Sequence, residues 1–284
     1  MPELPEVQTV VNDLLASGIV GRTITGARVF WPRSVAMPSA EAFCQALPGR
    51  AIERVWRRAK YLIMDLSGGD HLLAHLRMSG RIHLVAPDEP RAKHEHIVID
   101  LDDGRQIRLH DTRKFGRMYL VREFDAVLGH LGPEPLSGDF TAAILLARLH
   151  EHDRQLKPLL LDQAFLAGLG NIYTDEALWE AQIHPCRRSS SISEEEARRL
   201  HRAIQSVLRR GIENAGTSLG NGKANFYSVK KRQGRNARAL NVFRRTDLPC
   251  PRCATRIERI IVGQRSTHLC PACQPFPPLY GREK

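Results

Sequence analysis

Two C-x2-C pairs towards the end of the chain constrain its fold more than any other feature. Cys250-Pro-Arg-Cys253 and Cys270-Pro-Ala-Cys273 are separated by sixteen residues. Each pair reads as the tip of a tight turn. Two such turns facing each other offer four thiolates in the tetrahedron that Zn²⁺ takes at a closed structural site. Four sulfur ligands leave no position for a catalytic water. One structural zinc is therefore expected, with no catalytic metal, and the chemistry must lie elsewhere. Two disulfides are the competing arrangement. The paired spacing disfavours it, and so do N-terminal residues that do not read as a targeting segment.

The 284 residues suffice for about two domains with the cysteine-rich tail as an addition. No apolar run is long enough to span a bilayer, so no membrane association and a cytoplasmic location are expected. The formal net charge of +11 calls for an acidic partner. Ten Lys and Arg against one acid, Asp247, fall between Lys223 and Arg256. A basic run of this kind is either a solvated face or a phosphate-binding surface. Its position beside a zinc ribbon favours nucleic acid.

Along the chain the hydrophobic period changes twice. Val7, Val10, Val11, Leu14 and Leu15 share one helical face, and Gly18 ends that helix. From about Arg22 to Val121 short β-like runs alternate with turn signals, Ser67-Gly68-Gly69-Asp70 and Asp102-Asp103-Gly104 among them. This spacing predicts a sandwich or barrel and not a parallel α/β sheet. Residues 129–138, with Gly132-Pro133-Glu134-Pro135, read as a linker. Helical period follows at 140–150, 156–162 and 171–182, and Ser193 with Glu196 forms a capping box opening a fourth helix towards Gly211. Between the second and third helices, Gly168-Leu169-Gly170-Asn171 permits tight turns and puts Asn171 at a helix N-terminus suited to a phosphate.

The first residues are Met1-Pro2-Glu3-Leu4-Pro5-Glu6. Removal of Met1 would leave Pro2 with a free secondary amine, far less basic than a lysine and able to attack a sugar C1′. Glu3 and Glu6 lie close enough to move a proton. The same residues also suit a plain helix start, with a proline in the first turn and acids at the N-terminal dipole.

Met1-Pro-Glu-Leu-Pro-Glu-Val7 resembles the start of bacterial formamidopyrimidine-DNA glycosylases. Further segments resemble that family in order. They are Arg57-Arg-Ala-Lys-Tyr-Leu62, Met78-Ser-Gly80, Lys93-His-Glu-His96, Arg113-Lys-Phe-Gly116, Gly132-Pro-Glu-Pro-Leu136, Gly168-Leu-Gly-Asn-Ile-Tyr173, and the ribbon with Arg265-Ser-Thr267. The ordered set covers nearly the whole chain. It implies an α+β fold with four parts. An N-terminal helix and two-sheet antiparallel β-sandwich occupy residues 1–130. A helix-two-turn-helix DNA-binding domain spans 136–222, a basic lesion-capping or linker segment 223–243, and a four-cysteine zinc ribbon 244–278.

The resemblance implies a bifunctional glycosylase and AP lyase of base-excision repair. Such an enzyme removes oxidised purines, 8-oxoguanine and formamidopyrimidines, through a proline Schiff base and then β,δ-elimination. Pro2 becomes the nucleophile and Glu3 the general acid/base. Lys60 sits at the family's strand-embedded lysine and assists catalysis, as does Arg265. His94, Arg113, Asn171 and Arg265 match phosphate-contacting positions, and Met78, Arg113 and Phe115 match the trio that fills the gap left by an extruded base. Cys250, Cys253, Cys270 and Cys273 match the zinc ligands. The implied partner is double-stranded DNA with oxidised bases or abasic sites, met by a monomer at the bacterial nucleoid.

Two other readings stand beside this one: an endonuclease VIII-like enzyme for oxidised pyrimidines, and a non-catalytic zinc-ribbon protein that binds damaged DNA. Gly216-Thr-Ser-Leu-Gly-Asn-Gly222 lacks the arginine-acid pair usual in the family's capping loop, and Gln264 replaces a glycine. Leu4 and the Met78, Arg113 and Phe115 trio favour the purine branch.

Overall fold

The computed structural model describes residues 1–220 and 226–276. Residues 221–225, where the 136–222 and 223–243 segments meet, and 277–284, which include the end of the 244–278 ribbon, lie outside the described residues. The chain divides into two compact units, Met1–Gly129 with Gly211–Ala237, and His130–Arg210 with Arg238–Lys284. Among the described residues no helix is long and apolar enough to cross a membrane.

The first unit opens with α1, Leu4–Ala16. Pro5 stands in its first turn, where a missing N–H leaves no helical bond unmade. Gly18 takes φ +66° just beyond the end. The strands are β1 Ile24–Val29, β2 Val35–Met37, β3 Ile52–Arg58, β4 Tyr61–Leu66, β5 His71–His75, β6 Gly80–Val85, β7 Glu95–Leu101, β8 Gln106–Asp111 and β9 Arg117–Val121. They form two sheets, ordered β1-β7-β8-β6 and β2-β9-β5-β4-β3. Short helices α2, Ala40–Ala46, and α3, Asp125–Leu128, complete the unit.

Every strand pairing is antiparallel except the short edge strand β2, which runs parallel to β9. Between β1 and β2 the chain changes sheets, so β2 arrives without a hairpin to fix its direction. The glycine turns fall where their residues predict. Leu66 N–H bonds Asp70 O across Gly68 and Gly69, and Leu101 N–H bonds Arg105 O around Gly104.

The core of this unit joins the apolar face of α1, Val7, Val10, Val11 and Leu14, to inward residues of both sheets such as Leu62, Met64, Ile97 and Leu109. Phe226 and Val229 belong to the same core. Burying one such side chain contributes about 1.5–3 kcal/mol, so residues 226–237 are part of this fold. Buried polar groups reinforce them. Ser218 Oγ donates to Phe226 O at 2.6 Å and accepts from Gly234 N at 2.8 Å, and Asn236 donates to Thr217 Oγ1 at 2.9 Å.

The second unit is helical: α4 Ala142–His150, α5 Leu156–Leu161, α6 Asn171–Ala181 and most of α7 Glu194–Glu213. Glu196 N–H donates to Ser193 Oγ at 3.2 Å while Ser193 N–H donates to Glu196 Oε2 at 2.9 Å, which is the expected capping box. Strands β10, Glu258–Val262, and β11, Arg265–Leu269, form the ribbon hairpin. Its two tip residues, Gly263 and Gln264, have φ of +54° and +61°. Both central residues of this turn are left-handed, which suits the right-handed strand twist, and Gln264 takes that conformation without being glycine.

Candidate functional site

In the first unit the site gathers around the start of α1. Pro2 is buried, as are the carboxylates of Glu3 and Glu6. One oxygen of Glu6 accepts Glu3 N–H at 2.8 Å, and the other accepts Thr217 N–H at 2.7 Å. Glu6 therefore fixes the chain just after Pro2 and ties it to the 216–218 segment. Gly216, at φ +82°, lets the two meet. A Cβ there would lie 3.1 Å from Glu6 Cγ and 3.0 Å from a Phe226 ring carbon. Burial holds the amino group at Met1 below its ordinary value. Glu3 and Glu6 oppose that shift, and Lys60 and Arg113 add to it. Two carboxylates and two cations thus surround the N-terminus.

Lys60 lies not inside a strand but in the two-residue turn between β3 and β4, after Ala59 at φ +51°. The difference from the strand-embedded position follows from the pairing of Arg58 with Tyr61, which leaves Ala59 and Lys60 as the loop. Lys60 is nevertheless only 4% exposed.

Met78 and Phe115 are exposed at 42% and 47%, unusual for large apolar side chains and unlike core residues. The Arg113 guanidinium lies over the Phe115 ring at 5.0 Å. One buried carboxylate organises both loops that carry them. Asp111 accepts from Ser79 Oγ beside Met78, from Arg113 N–H at 3.1 Å and from Gly116 N–H at 2.6 Å. His94 is half-buried, its ring 6.3 Å from that of His96 and 5.9 Å from that of His110. His96 Nε2 contacts Asp111 O at 2.8 Å, so this histidine pair serves the strand and forms no metal cluster among the described residues.

In the second unit Asn171 starts α6 after Gly168 at φ +97°. Gln163 holds the turn, accepting from Gly168 N–H at 3.0 Å and donating to Leu161 O and Leu169 O. Asn171 Nδ2 donates to Ser266 O at 2.9 Å, next to exposed Arg265. The buried Lys157 ammonium donates to Asp175 Oδ1 at 2.6 Å, Ser266 O at 2.9 Å and Thr267 Oγ1 at 2.8 Å. The other Asp175 oxygen accepts His268 N–H at 2.9 Å. These bonds fasten β11 to α6 and bring Asn171 and Arg265 together.

None of the six cysteines is in a disulfide, and Cys250, Cys253, Cys270 and Cys273 converge with ligand atoms within 4.8 Å of one another. Four thiolates about 2.3 Å from zinc would sit about 3.8 Å apart in a tetrahedron. Three of the six sulfur separations, at 3.4 to 3.9 Å, lie close to that geometry. Arg252 N–H, Cys273 N–H and Trp179 Nε1–H each approach a cysteine sulfur at 3.4 Å, as suits thiolates binding a metal. The cluster is a structural zinc site.

Asp111, Gln163, Lys157 and Asp175 were not singled out by the sequence. Of these only Lys157 left a signal, a charged residue inside the apolar run Leu156-Lys157-Pro158-Leu159. Such a residue has to find a partner, but the partner lies far away in the chain.

Three family models match the chain. They are the formamidopyrimidine-DNA glycosylase N-terminal domain over residues 1–118, the H2TH domain of the same enzymes over 131–221, and the zinc finger found in FPG and IleRS over 247–275. Formamidopyrimidine-DNA glycosylase of Protochlamydia amoebophila is 47% identical over 274 residues, 96% of this chain and 99% of that protein. The Herpetosiphon aurantiacus protein of the same name is 48% identical over 277 residues, 96% of this chain and 100% of that one. Among solved structures, a Lactococcus lactis FPG mutant in complex with Fapy-dG-containing DNA superposes with a TM-score of 0.89. It is 36% identical, covering 97% of this chain and all of that one.

Proposed function

The chain belongs to the formamidopyrimidine-DNA glycosylase family, and we propose from that membership that it excises oxidised purines from duplex DNA and then cuts the strand. The observation that carries this reading is the buried Pro2-Glu3 segment, pinned by Glu6 and surrounded by the charges of Lys60 and Arg113. Solved relatives crystallised with Fapy-dG DNA and with carbocyclic 8-oxo-G DNA support the purine substrate.

Once Met1 is removed, the Pro2 nitrogen attacks C1′ of the damaged nucleotide. The glycosidic bond breaks, its electron pair leaves with the base, and a proton is supplied to the departing base. The Pro2 nitrogen loses its own proton and the sugar ring opens to an iminium. Loss of a C2′ proton then expels the 3′ phosphate, and a second elimination expels the 5′ phosphate. Glu3 exchanges protons with the sugar, and Lys60 and Arg113 hold the phosphates beside it. Arg265, Asn171 and His94 hold further phosphates, and Met78, Arg113 and Phe115 fill the space that the base vacates. No step calls for a catalytic metal. The protein works as a monomer in the bacterial cytoplasm at the nucleoid.

The test is borohydride trapping on abasic-site DNA, with intact mass read on the same sample. Protein lacking Met1 should form a covalent adduct, and Pro2→Gly should trap far less while still binding the DNA. Normal trapping by Pro2→Gly would move the nucleophile elsewhere and overturn the assignment.

A further inference from the structure

A second basic feature lies in the second unit, apart from Asn171 and Arg265. Along one face of α7 stand Arg198, His201, Arg202, Gln205 and Arg209, spaced so that they line up on a helix. The opposite face, with Leu200, Ile204, Val207 and Leu208, is buried. The exposed face does not merely meet solvent. With residues 136–142 it lines a groove of about 440 Å³, whose far wall offers Ser137 and Thr141.

The groove is held in shape. His201 Nε2 lies 2.7 Å from Phe140 O, with the two rings 5.4 Å apart, and Gln205 donates to Pro135 O at 3.2 Å. These bonds fasten the 135–140 segment to α7 and occupy the two members of the row that are not arginines. Glu194 and Glu195 orient Arg198 at the helix start. Arg202 is 67% exposed and its nearest acid, Glu195, is 3.9 Å away. Arg209 is exposed and bonded only at one end, to Gln205 at 3.2 Å.

We propose that this groove binds the phosphate backbone of a second DNA duplex, so that one protein holds two DNA segments. From Arg198 to Arg209 the helix rises about 16 Å. One strand of a duplex presents about five phosphates over that length. Planar guanidinium groups and hydroxyls are the donors that phosphate oxygens take. The basic row lies on α7, a different element from those that carry the proposed phosphate contacts of this unit. Arg199 bonds Ala181 O and Arg210 pairs with Glu180, both at the C-terminal end of α6, whereas Asn171 forms its N-terminal end. Choosing DNA as the polyanion rests on the glycosylase reading.

The experiment uses the full zinc-loaded chain and two undamaged duplexes, one carrying a donor dye and one an acceptor. The wild type should raise energy transfer between them at low salt. The triple variant Arg198→Gln, Arg202→Gln, Arg209→Gln should lose that signal, and the salt slope for the second duplex should fall by roughly 2.7, three contacts at about 0.9 each. The triple lysine variant should keep most of the signal. Cleavage of a short lesion duplex is measured alongside and should match the wild type in both variants, which also shows that they fold. Energy transfer that is absent in the wild type, or unchanged in the glutamine variant, overturns the proposal. So does an equal loss of affinity for the first duplex, since the groove would then belong to a single interface. Displacement by a polyglutamate peptide with no effect of competitor DNA would assign the groove to an acidic protein instead and also overturn it. Bridging without lesion cleavage would sink the glycosylase reading and leave this one standing.

Discussion

Glu6 and Thr217 are 211 positions apart in the chain, yet Glu6 Oε1 accepts the Thr217 N–H at 2.7 Å inside the first unit. The same carboxylate accepts Glu3 N–H at 2.8 Å. The position of the N-terminal proline is thereby coupled to the 216–218 segment. Glu6→Ala should leave two buried N–H groups without an acceptor, at about 1–3 kcal/mol each. The expected result is a lower urea midpoint together with weaker borohydride trapping. Glu6→Gln retains one acceptor oxygen and should lose less of both. Unchanged stability in Glu6→Ala would show that Glu6 does not hold the segment.

Asp111 shapes the loops of Met78, Arg113 and Phe115 without being exposed itself. Asp111→Ala should release Gly116 N–H and Ser79 Oγ and let both loops relax. Affinity for abasic-site DNA is expected to fall by roughly 10-fold, the equivalent of one lost bond to a charged group. Fluorescence anisotropy with a labelled duplex checks this. Equal affinity in mutant and wild type would mean that the exposed trio is placed by the strands alone.

Stability should depend on pH through His75. Its Nδ1 accepts Arg77 N–H at 3.0 Å, so the ring is neutral in the fold. Burial, then Arg77 and Lys60, lower its pKa from 6.5 to about 3. The unfolded chain takes up a proton near 6.5 and the folded one does not. This contribution is complete above that value and is lost as pH falls from 6.5 towards 3, at up to about 1.4 kcal/mol per pH unit. In His75→Asn the amide oxygen still accepts the Arg77 N–H. Urea midpoints at about pH 7 and about pH 5, with zinc in excess, should therefore differ less in the mutant. Identical differences would rule out His75 as the source.

Zinc removal should act on the second unit first. The ribbon core is small, made of Cys250, Cys270 and Cys273 with Trp179, Val242 and Ile257. Such a site supplies its own folding free energy. Chelation should abolish amide protection in β10 and β11 and weaken DNA binding, while β3 to β5 stay protected. Undiminished affinity after chelation would separate the ribbon from DNA binding.

For substrate choice, 8-oxoguanine opposite cytosine should be cut faster than thymine glycol in single-turnover assays. The grounds are Leu4 and the Met78, Arg113 and Phe115 set. The 216–222 segment argues the other way, because contacts to the edge of a flipped base select it. Equal or faster cleavage of thymine glycol would make that segment the determinant and favour the endonuclease VIII-like reading.

What the sequence determined is whatever local periodicity and spacing carry. The cysteine pairs announced a zinc site because ligand spacing is a property of a few neighbouring residues. The helix of Val7, Val10 and Val11 and the glycine turns at 68–69 and 104 were legible for the same reason. Without the ordered motifs, Met78 and Phe115 would by default count as core residues at β spacing, since a short apolar run does not say which of its residues meet solvent. Only the tertiary structure decided that they are exposed. It also decided that Lys60 sits in a turn, and that Phe226 and Val229 anchor a basic segment in the sandwich core. The partners of Glu6, Lys157 and Asp111 were beyond the reach of the sequence. A buried charge must be paired, but the chain alone does not say with what, because the partner is brought there by packing of elements that are distant along it.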